Sequence, residues 1–335
     1  MKWVVFRVDS NKRLGMGHLS RCFELANTLK KFKIKSYFAI KKDKSALELV
    51  RERNFPFKII SNFEDEELNE LVKLHDKINF QCIIIDLKKS KNTKFFSKLN
   101  GMCKTVVIDN TSKNSLFANL VIWPWVKEQY SEKIIKKFSQ KLLVGPEYMQ
   151  IGNFKTKNEK QRIQNSILVS MGGSDKRQLT TKIISSFQKS KYDFHMDIAI
   201  GKFFSDTEKI YEIIRNDKRF SIIQNNKGLI PIMSKYRIGI FSFGLTVCEA
   251  CFVGLPSIVL SHSIENDSYA KKMAEYQCMK YLGYYKTIKF NKIPQLVFNL
   301  MNNQKQYKKY LVNGKKMIDG KGNERIAKKI FEMIK

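Results

Sequence analysis

His18 stands directly behind a glycine-bracketed turn, Gly15-Met16-Gly17, and opens a run in which Leu19, Cys22, Phe23, Leu25, Ala26 and Leu29 recur at helical spacing. A neutral imidazole in that position can serve as a general base, or it can simply cap or pack the turn. The backbone N–H groups of Gly15 and Gly17 and the positive end of the following helix would face whatever anion lies in front of them. Asp9 closes the apolar run Trp3 to Val8. It could orient His18, meet ligand hydroxyls or cap the turn. As a dinucleotide fingerprint the stretch is weak, because Ser20 occupies the third glycine position and no acidic residue ends a second strand about twenty positions on.

The second half repeats the device twice. Met171-Gly172-Gly173-Ser174-Asp175 offers two glycines for close backbone approach to a phosphate, with Ser174 as a further donor. In Ser242-Phe243-Gly244-Leu245-Thr246, residues Gly244, Leu245 and Thr246 supply N–H and hydroxyl donors, and Glu249, one turn on, could hold two vicinal ribose hydroxyls. Each loop alone is an ordinary strand-to-helix turn. Together they read as a nucleoside diphosphate site. In His262 to Tyr269, Asn266 faces the same side or, with Asp267, caps the next helix. Cys248 and Cys251 have CxxC spacing, but no second pair and no suitable histidines accompany them, so no metal or other cofactor is expected.

These residues need strands to carry them. Short β-branched runs at 3–8, 36–40, 57–60, 82–86 and 105–109 alternate with helical stretches at 18–31, 45–53 and 64–74, and two of the runs end in Asp86 and Asp109. The pattern restarts at 166–170 and continues through strands at 196–200, 219–223, 238–242 and 257–260, with helices near 178–189, 228–236, 246–253 and 270–275. It predicts an α/β protein of two Rossmann-like domains facing across a cleft: residues 1–150, a polar linker 151–165, a second domain 166–320 and a C-terminal helix 321–335.

The 335 residues exclude a disulfide-held miniprotein, and the six scattered cysteines read as reduced thiols. The first residues meet Arg7 and Asp9 too soon for a signal peptide, and no apolar run is long enough to span a membrane, so a cytoplasmic monomer is expected. Lys+Arg 62 against Asp+Glu 31 gives a net charge of +31. The coding bias of an A+T-rich sequence, a peripheral contact with an anionic membrane or contact with nucleic acid would each account for it. No nucleic-acid recognition module is present, so no specific nucleic-acid partner is expected.

Arg7-Val8-Asp9-Ser10 and Gly15-Met16-Gly17-His18-Leu19-Ser20-Arg21-Cys22 resemble the start of the UDP-2,4-diacetamido-2,4,6-trideoxy-β-L-altropyranose hydrolases of pseudaminic acid biosynthesis, relatives of spore-coat polysaccharide proteins. The likeness continues through Ile85-Asp86, Ile108-Asp109, Val144 to Tyr148, Ser170 to Asp175, Gly244 to Glu249, Gly254-Leu255-Pro256, Asn266 and Asp319 to Ala327. The resemblance implies the GT-B fold of inverting glycosyltransferases and a UDP-sugar substrate. It implies that His18 activates water for inverting attack at the anomeric carbon, with Asp9 beside it and Gly15, Gly17, Arg21, Asp86 and Asn266 at the substrate. Gly172, Gly173, Ser174, Gly244, Leu245, Thr246 and Glu249 would bind UDP. An inverting glycosyltransferase acting in cell-surface glycan synthesis is the alternative it leaves open. Leu87-Lys88-Lys89, where the family carries a His-Tyr-type pair, and Ile122-Trp123-Pro124-Trp125 depart from the pattern on the sugar-facing half, and Leu245 replaces a frequent second glycine.

Overall fold

The computed structural model describes residues 2–11, 15–126, 131–152, 154, 162–201, 204, 207–224 and 228–335. Residues 12–14 of the first glycine loop, and 153 and 155–161 of the expected linker, lie outside them. The chain divides into two compact units, Met1–Asn153 joined by Gly320–Lys335, and Phe154–Asp319.

In the first unit the described residues form a seven-stranded parallel sheet. Its strands are β1 (Lys2–Val8), β2 (Ile34–Lys41), β3 (Phe57–Ile60), β4 (Cys82–Asp86), β5 (Lys104–Ile108), β6 (Leu120–Trp123) and β7 (Leu142–Val144). They are joined by helices α1 (Gly17–Lys31), α2 (Lys44–Glu52), α3 (Glu64–Ile78), α4 (Thr93–Asn100) and α5 (Glu132–Lys137). Side chains start several of these helices, as where Asp43 accepts from the Ala46 N–H at 3.0 Å and Asn92 from the Phe95 N–H at 2.8 Å. The strand order is β3-β2-β1-β4-β5-β6-β7. Order therefore reverses between β1 and β4, and the register, Val8 opposite Asp86, sets their carboxyl ends level. Open parallel sheets bind ligands at such a reversal.

The second unit has β8 (Ser166–Ser170), α6 (Leu179–Gln188), β9 (His195–Ile200), α7 (Thr207–Ile214), β10 (Phe220–Gln224), α8 (Ile230–Met233), β11 (Ile238–Ser242), α9 (Leu245–Val253), β12 (Ser257–Ser261), α10 (Ile264–Glu275), β13 (Lys280–Tyr284), α11 (Ile293–Asn302) and α12 (Gln304–Met317). Its six-stranded order, β10-β9-β8-β11-β12-β13, reverses between β8 and β11. The glycine loops after those two strands flank that point.

Each sheet has its own core. In the first, α1 buries Leu19, Cys22, Phe23, Leu25, Ala26 and Leu29, and Phe6, Phe23, Phe38 and Phe55 pack as a ring cluster with centroids 5.0–5.7 Å apart. The last helix, α13 (Gly322–Met333), belongs to this same core through Ile326, Ala327 and Ile330. All six cysteines are free and buried. No helix among the described residues is long and apolar enough to cross a membrane.

One helix start departs from expectation. α10 begins at Ile264, and its cap is Ser263, whose Oγ accepts from the Asn266 N–H at 3.2 Å. Asn266 and Asp267 lie inside the first turn rather than capping it.

Candidate active site

His18 is the second residue of α1, a helix with no side-chain cap and no acidic residue in its first turn. The turn before it is held by the Gly15 N–H donating to the Asn11 carbonyl at 2.8 Å and by the Ser10 hydroxyl donating to the Gly15 carbonyl at 2.7 Å. Gly15 takes φ +85°, a conformation glycine adopts without strain. Cβ atoms added at Gly15 or Gly17 would meet nothing within 4 Å, so open space lies in front of this backbone.

Behind the imidazole is a charge network drawn from α1 and from the ends of two strands, β4 and β5. Nδ1 of His18 lies 2.6 Å from Oδ1 of Asp86, the last residue of β4. Arg21, one turn along α1, donates from Nε to Asp86 Oδ2 at 2.6 Å and from Nη2 to Oδ1 at 2.5 Å. Its Nη1 donates to Oδ2 of Asp109, just past β5, at 2.6 Å. Nη2 of Arg21 also lies 2.9 Å from His18 Nδ1. The nearer, anionic partner decides the tautomer, so Nδ1 carries the hydrogen donated to Asp86 and Nε2 carries the lone pair. The Asp86 side chain is 1% exposed against 24% for His18.

Burial alone would push the Asp86 carboxyl up, but the Arg21 guanidinium and His18 outweigh it and hold it well below the usual carboxylate range. Burial likewise works against the Arg21 charge, and Asp86 and Asp109 reverse that, keeping it firmly protonated. Two carboxylates against one guanidinium leave one negative charge behind the ring.

The expected partner of His18 is corrected here. Asp9 is claimed by Arg7, which donates to it at 2.5 and 3.1 Å, while Arg7 Nε donates to the buried Glu67 at 2.8 Å. Alternating strand geometry puts residues 7 and 9 on one face, so the nearest cation captures Asp9. Asp86 takes its place on the imidazole. Arg21 and Asp86, expected at the substrate, are instead buried behind the base and spend their hydrogen bonds on one another, on Asp109 and on His18. Asp109 and Trp125 were not singled out as site residues. Their sequence signals were position just beyond a strand's carboxyl end and, for Asp109, a place in the family resemblance, for Trp125, a place in a segment that departs from it.

In the second unit, Gly172 (φ +90°) and Gly173 are exposed after β8, and Cβ atoms there would meet nothing within 4 Å. Ser174 is half-buried beside them, and Asp175 fixes the loop by accepting from the Leu179 and Thr180 N–H groups at 2.9 and 2.7 Å. After β11, Gly244 has extended backbone and likewise faces open space. Leu245, Thr246 and Glu249 follow on α9, all half-buried. Ser242 lies 2.7 Å from Nδ1 of His262, and the Asn266 amide donates to the Phe243 carbonyl at 3.4 Å, tying the loops after β11 and β12 together.

No family model matches the chain. It is similar to an uncharacterized protein of Methanocaldococcus jannaschii, 26% identical over 286 residues, which are 80% of this chain and 58% of that relative's length. The chain thus spans little more than half of that protein. It is also similar to the spore coat polysaccharide biosynthesis protein SpsG of Bacillus subtilis, 20% identical over 336 aligned residues and 95% of each chain. Among solved structures it resembles MurG of Acinetobacter baumannii (TM-score 0.75, 12% identity, 99% of this chain and 100% of that one). It also resembles the calicheamicin glycosyltransferase CalG4 (0.67, 11%, 100% and 98%) and the UDP-GlcNAc 2-epimerase of Neisseria meningitidis bound to UDP-GlcNAc (0.66, 14%, 99% and 100%). At these identities the likeness establishes the fold, which is the two-domain α/β GT-B class.

Proposed function

We propose that this chain is a UDP-sugar-processing enzyme that breaks the bond between the anomeric carbon and UDP, with His18 as the base that prepares the incoming hydroxyl. The observation that carries the reading is the His18–Asp86–Arg21–Asp109 constellation at the strand-order reversal of the first sheet. Nε2 takes the proton of the hydroxyl as its oxygen attacks the anomeric carbon. The carbon–oxygen bond to UDP breaks, and its electron pair leaves on the β-phosphate oxygen. Backbone N–H groups of the loops at Gly172–Ser174 and Gly244–Thr246, with the start of α9, would stabilise the growing charge, and Glu249 would hold the ribose.

Transfer to an acceptor hydroxyl in cell-surface glycan synthesis is the reading favoured by the fold, since the likeness includes a structure described as a glycosyltransferase. Hydrolysis of a UDP-2,4-diacetamido-2,4,6-trideoxy hexose is the second. The Gly15 to Cys22 motif favours it, as does the likeness to SpsG along 95% of both chains. Water is the smallest acceptor, so one base serves either.

The test is incubation with UDP-2,4-diacetamido-2,4,6-trideoxy-β-L-altrose, and separately with UDP-N-acetylglucosamine, in ¹⁸O-labelled water, with and without a membrane glycolipid fraction. UDP released without acceptor, with label in the sugar, identifies the hydrolase. Release only with the glycolipid fraction identifies the transferase. Failure to bind either nucleotide sugar or UDP overturns the proposal.

A further inference from the structure

We infer that the second unit carries a separate anion site built around Arg237, and that its ligand is a small aromatic molecule ending in a carboxylate or phosphate. Asn165, Phe194 and Arg237 immediately precede β8, β9 and β11, which are neighbours in the sheet order. In a parallel sheet all amino ends lie along one edge, so these residues stand opposite the glycine loops that follow β8 and β11. With the end of α11 and the start of α12 they line a cavity of about 390 Å³. That falls in the range of small-molecule sites, about 300–1,000 Å³.

Cations are common in this chain, but this one is held differently from the rest of the arginine pairs. Arg7, Arg21 and Arg219 each hold carboxylates, and Arg162 holds the Val253 and Gly254 carbonyls. Among the described residues the Arg237 guanidinium makes no hydrogen bond and no ion pair, although its Nε is buried. What holds it is a ring, since its Cζ lies 3.8 Å from the centroid of Tyr307. Tyr307 is wholly buried, and its hydroxyl accepts from Arg162 Nη1 at 2.8 Å and donates to the Arg237 carbonyl at 3.0 Å. The Arg237 N–H donates to Ser166 Oγ at 3.1 Å. Ring and backbone are therefore both fixed. A guanidinium laid on a ring keeps its donors in its own plane, and their fork matches a carboxylate or a phosphate. A ligand meeting it would not have to order a flexible cation first.

The rest of the lining sets the body of the ligand. Tyr192 and Phe298 stack with centroids 4.9 Å apart, and the Tyr192 hydroxyl is taken up by Gln295. Phe298 is 42% exposed, an apolar ring on the surface of α11 at the cavity wall. Lys191 adds a second positive charge to the lining, while Asp193, its acidic member, has Arg219 as a nearby counter-charge. A flat apolar body against the Tyr192–Phe298 pair with an oxyanion on Arg237 satisfies both walls at once.

The experiment titrates phenyl phosphate, benzoate and the uncharged benzamide into the full chain by calorimetry at physiological ionic strength. It compares wild type with Arg237→Lys and Arg237→Gln, with urea midpoints measured beside them. Expected is binding of at least one anion, at least tenfold tighter than benzamide. Arg237→Gln should weaken the anion about tenfold or more, and Arg237→Lys, which keeps the charge without the fork, should fall between. Hydrogen exchange of the wild type needs no variant to fold. The anion should protect residues 164–166, 192–195, 237–238 and 298–304 and leave 172–174 and 244–246 as they were. No binding of either anion at millimolar concentration, affinity unchanged in a folded Arg237→Gln, or protection confined to the glycine loops would each overturn the inference. Because the site lies on the other edge of the sheet, UDP binding should be the same in wild type and Arg237→Gln, and the reading of the glycine loops stands or falls separately.

Discussion

A hydrogen bond to one imidazole nitrogen fixes the tautomer and orientation of the ring, and for His18 that bond is made by Asp86 from 68 positions away in sequence. His18→Ala should therefore lower turnover by about 10²–10⁴ while leaving UDP affinity nearly unchanged, measured by single-turnover UDP release beside calorimetric titration. Asp86→Asn tests the support. It leaves Arg21 buried with Asp109 alone, and removing one partner of a buried pair costs about 3–5 kcal/mol, to be read in urea unfolding. The pH dependence has a definite sign. Asp86 is depressed in the folded protein, so its contribution is complete above the carboxyl value of the unfolded chain, about 3.9, and is lost as pH falls toward the folded value. The gap between wild type and Asp86→Asn should be widest near neutrality and narrow in acid. Residue type and local spacing pointed to His18 and the glycines. They did not reveal its partner, because pairing between a helix and a strand five elements later is a property of the sheet order. Asp9, which the sequence offered as one candidate to orient His18, pairs instead with Arg7 two residues before it, a competitor visible in the sequence.

At the scale of elements, long β-branched runs and the helices that follow glycine loops were legible because burial on both faces of a parallel sheet leaves little else that such runs can be. What escaped was short or mixed. β6 and β7 are four and three residues, and β13 carries a lysine and a glycine, so none shows a decisive period. α12 buries Tyr307, Tyr310, Leu311, Gly314 and Met317 at helical spacing beneath a lysine-rich surface that hides the stripe. The glycine loops make a prediction of their own. A methyl group at Gly244 meets no protein atom within 4 Å and the backbone there is extended, so Gly244→Ala should leave the urea midpoint near wild type. If the loop cradles a diphosphate, the same methyl occupies the ligand's space and UDP should bind at least tenfold more weakly by calorimetry. A loss of stability with unchanged UDP binding would show that the loop is only a turn.

For the whole molecule the two units have separate cores, and the loops assigned to UDP all lie in one of them. UDP at about a hundredfold excess over its dissociation constant should add roughly 2.7 kcal/mol to the unfolding of the second unit. Hydrogen exchange should report that protection within residues 154–319, and uniform protection of both units would contradict the assignment. The place of α13 bears on how the protein is made. Its residues complete the core begun by β1 and α1, yet on the ribosome they emerge only after the whole of the second unit. At about 5–20 residues per second, the nascent first unit waits roughly ten to thirty seconds with an apolar face open, while the second unit, contiguous in sequence, is free to fold in full. Translation thus reverses the order in which the halves are written. A message cut short before residue 320 would deliver a finished second unit attached to an unfinished, chaperone-dependent first one.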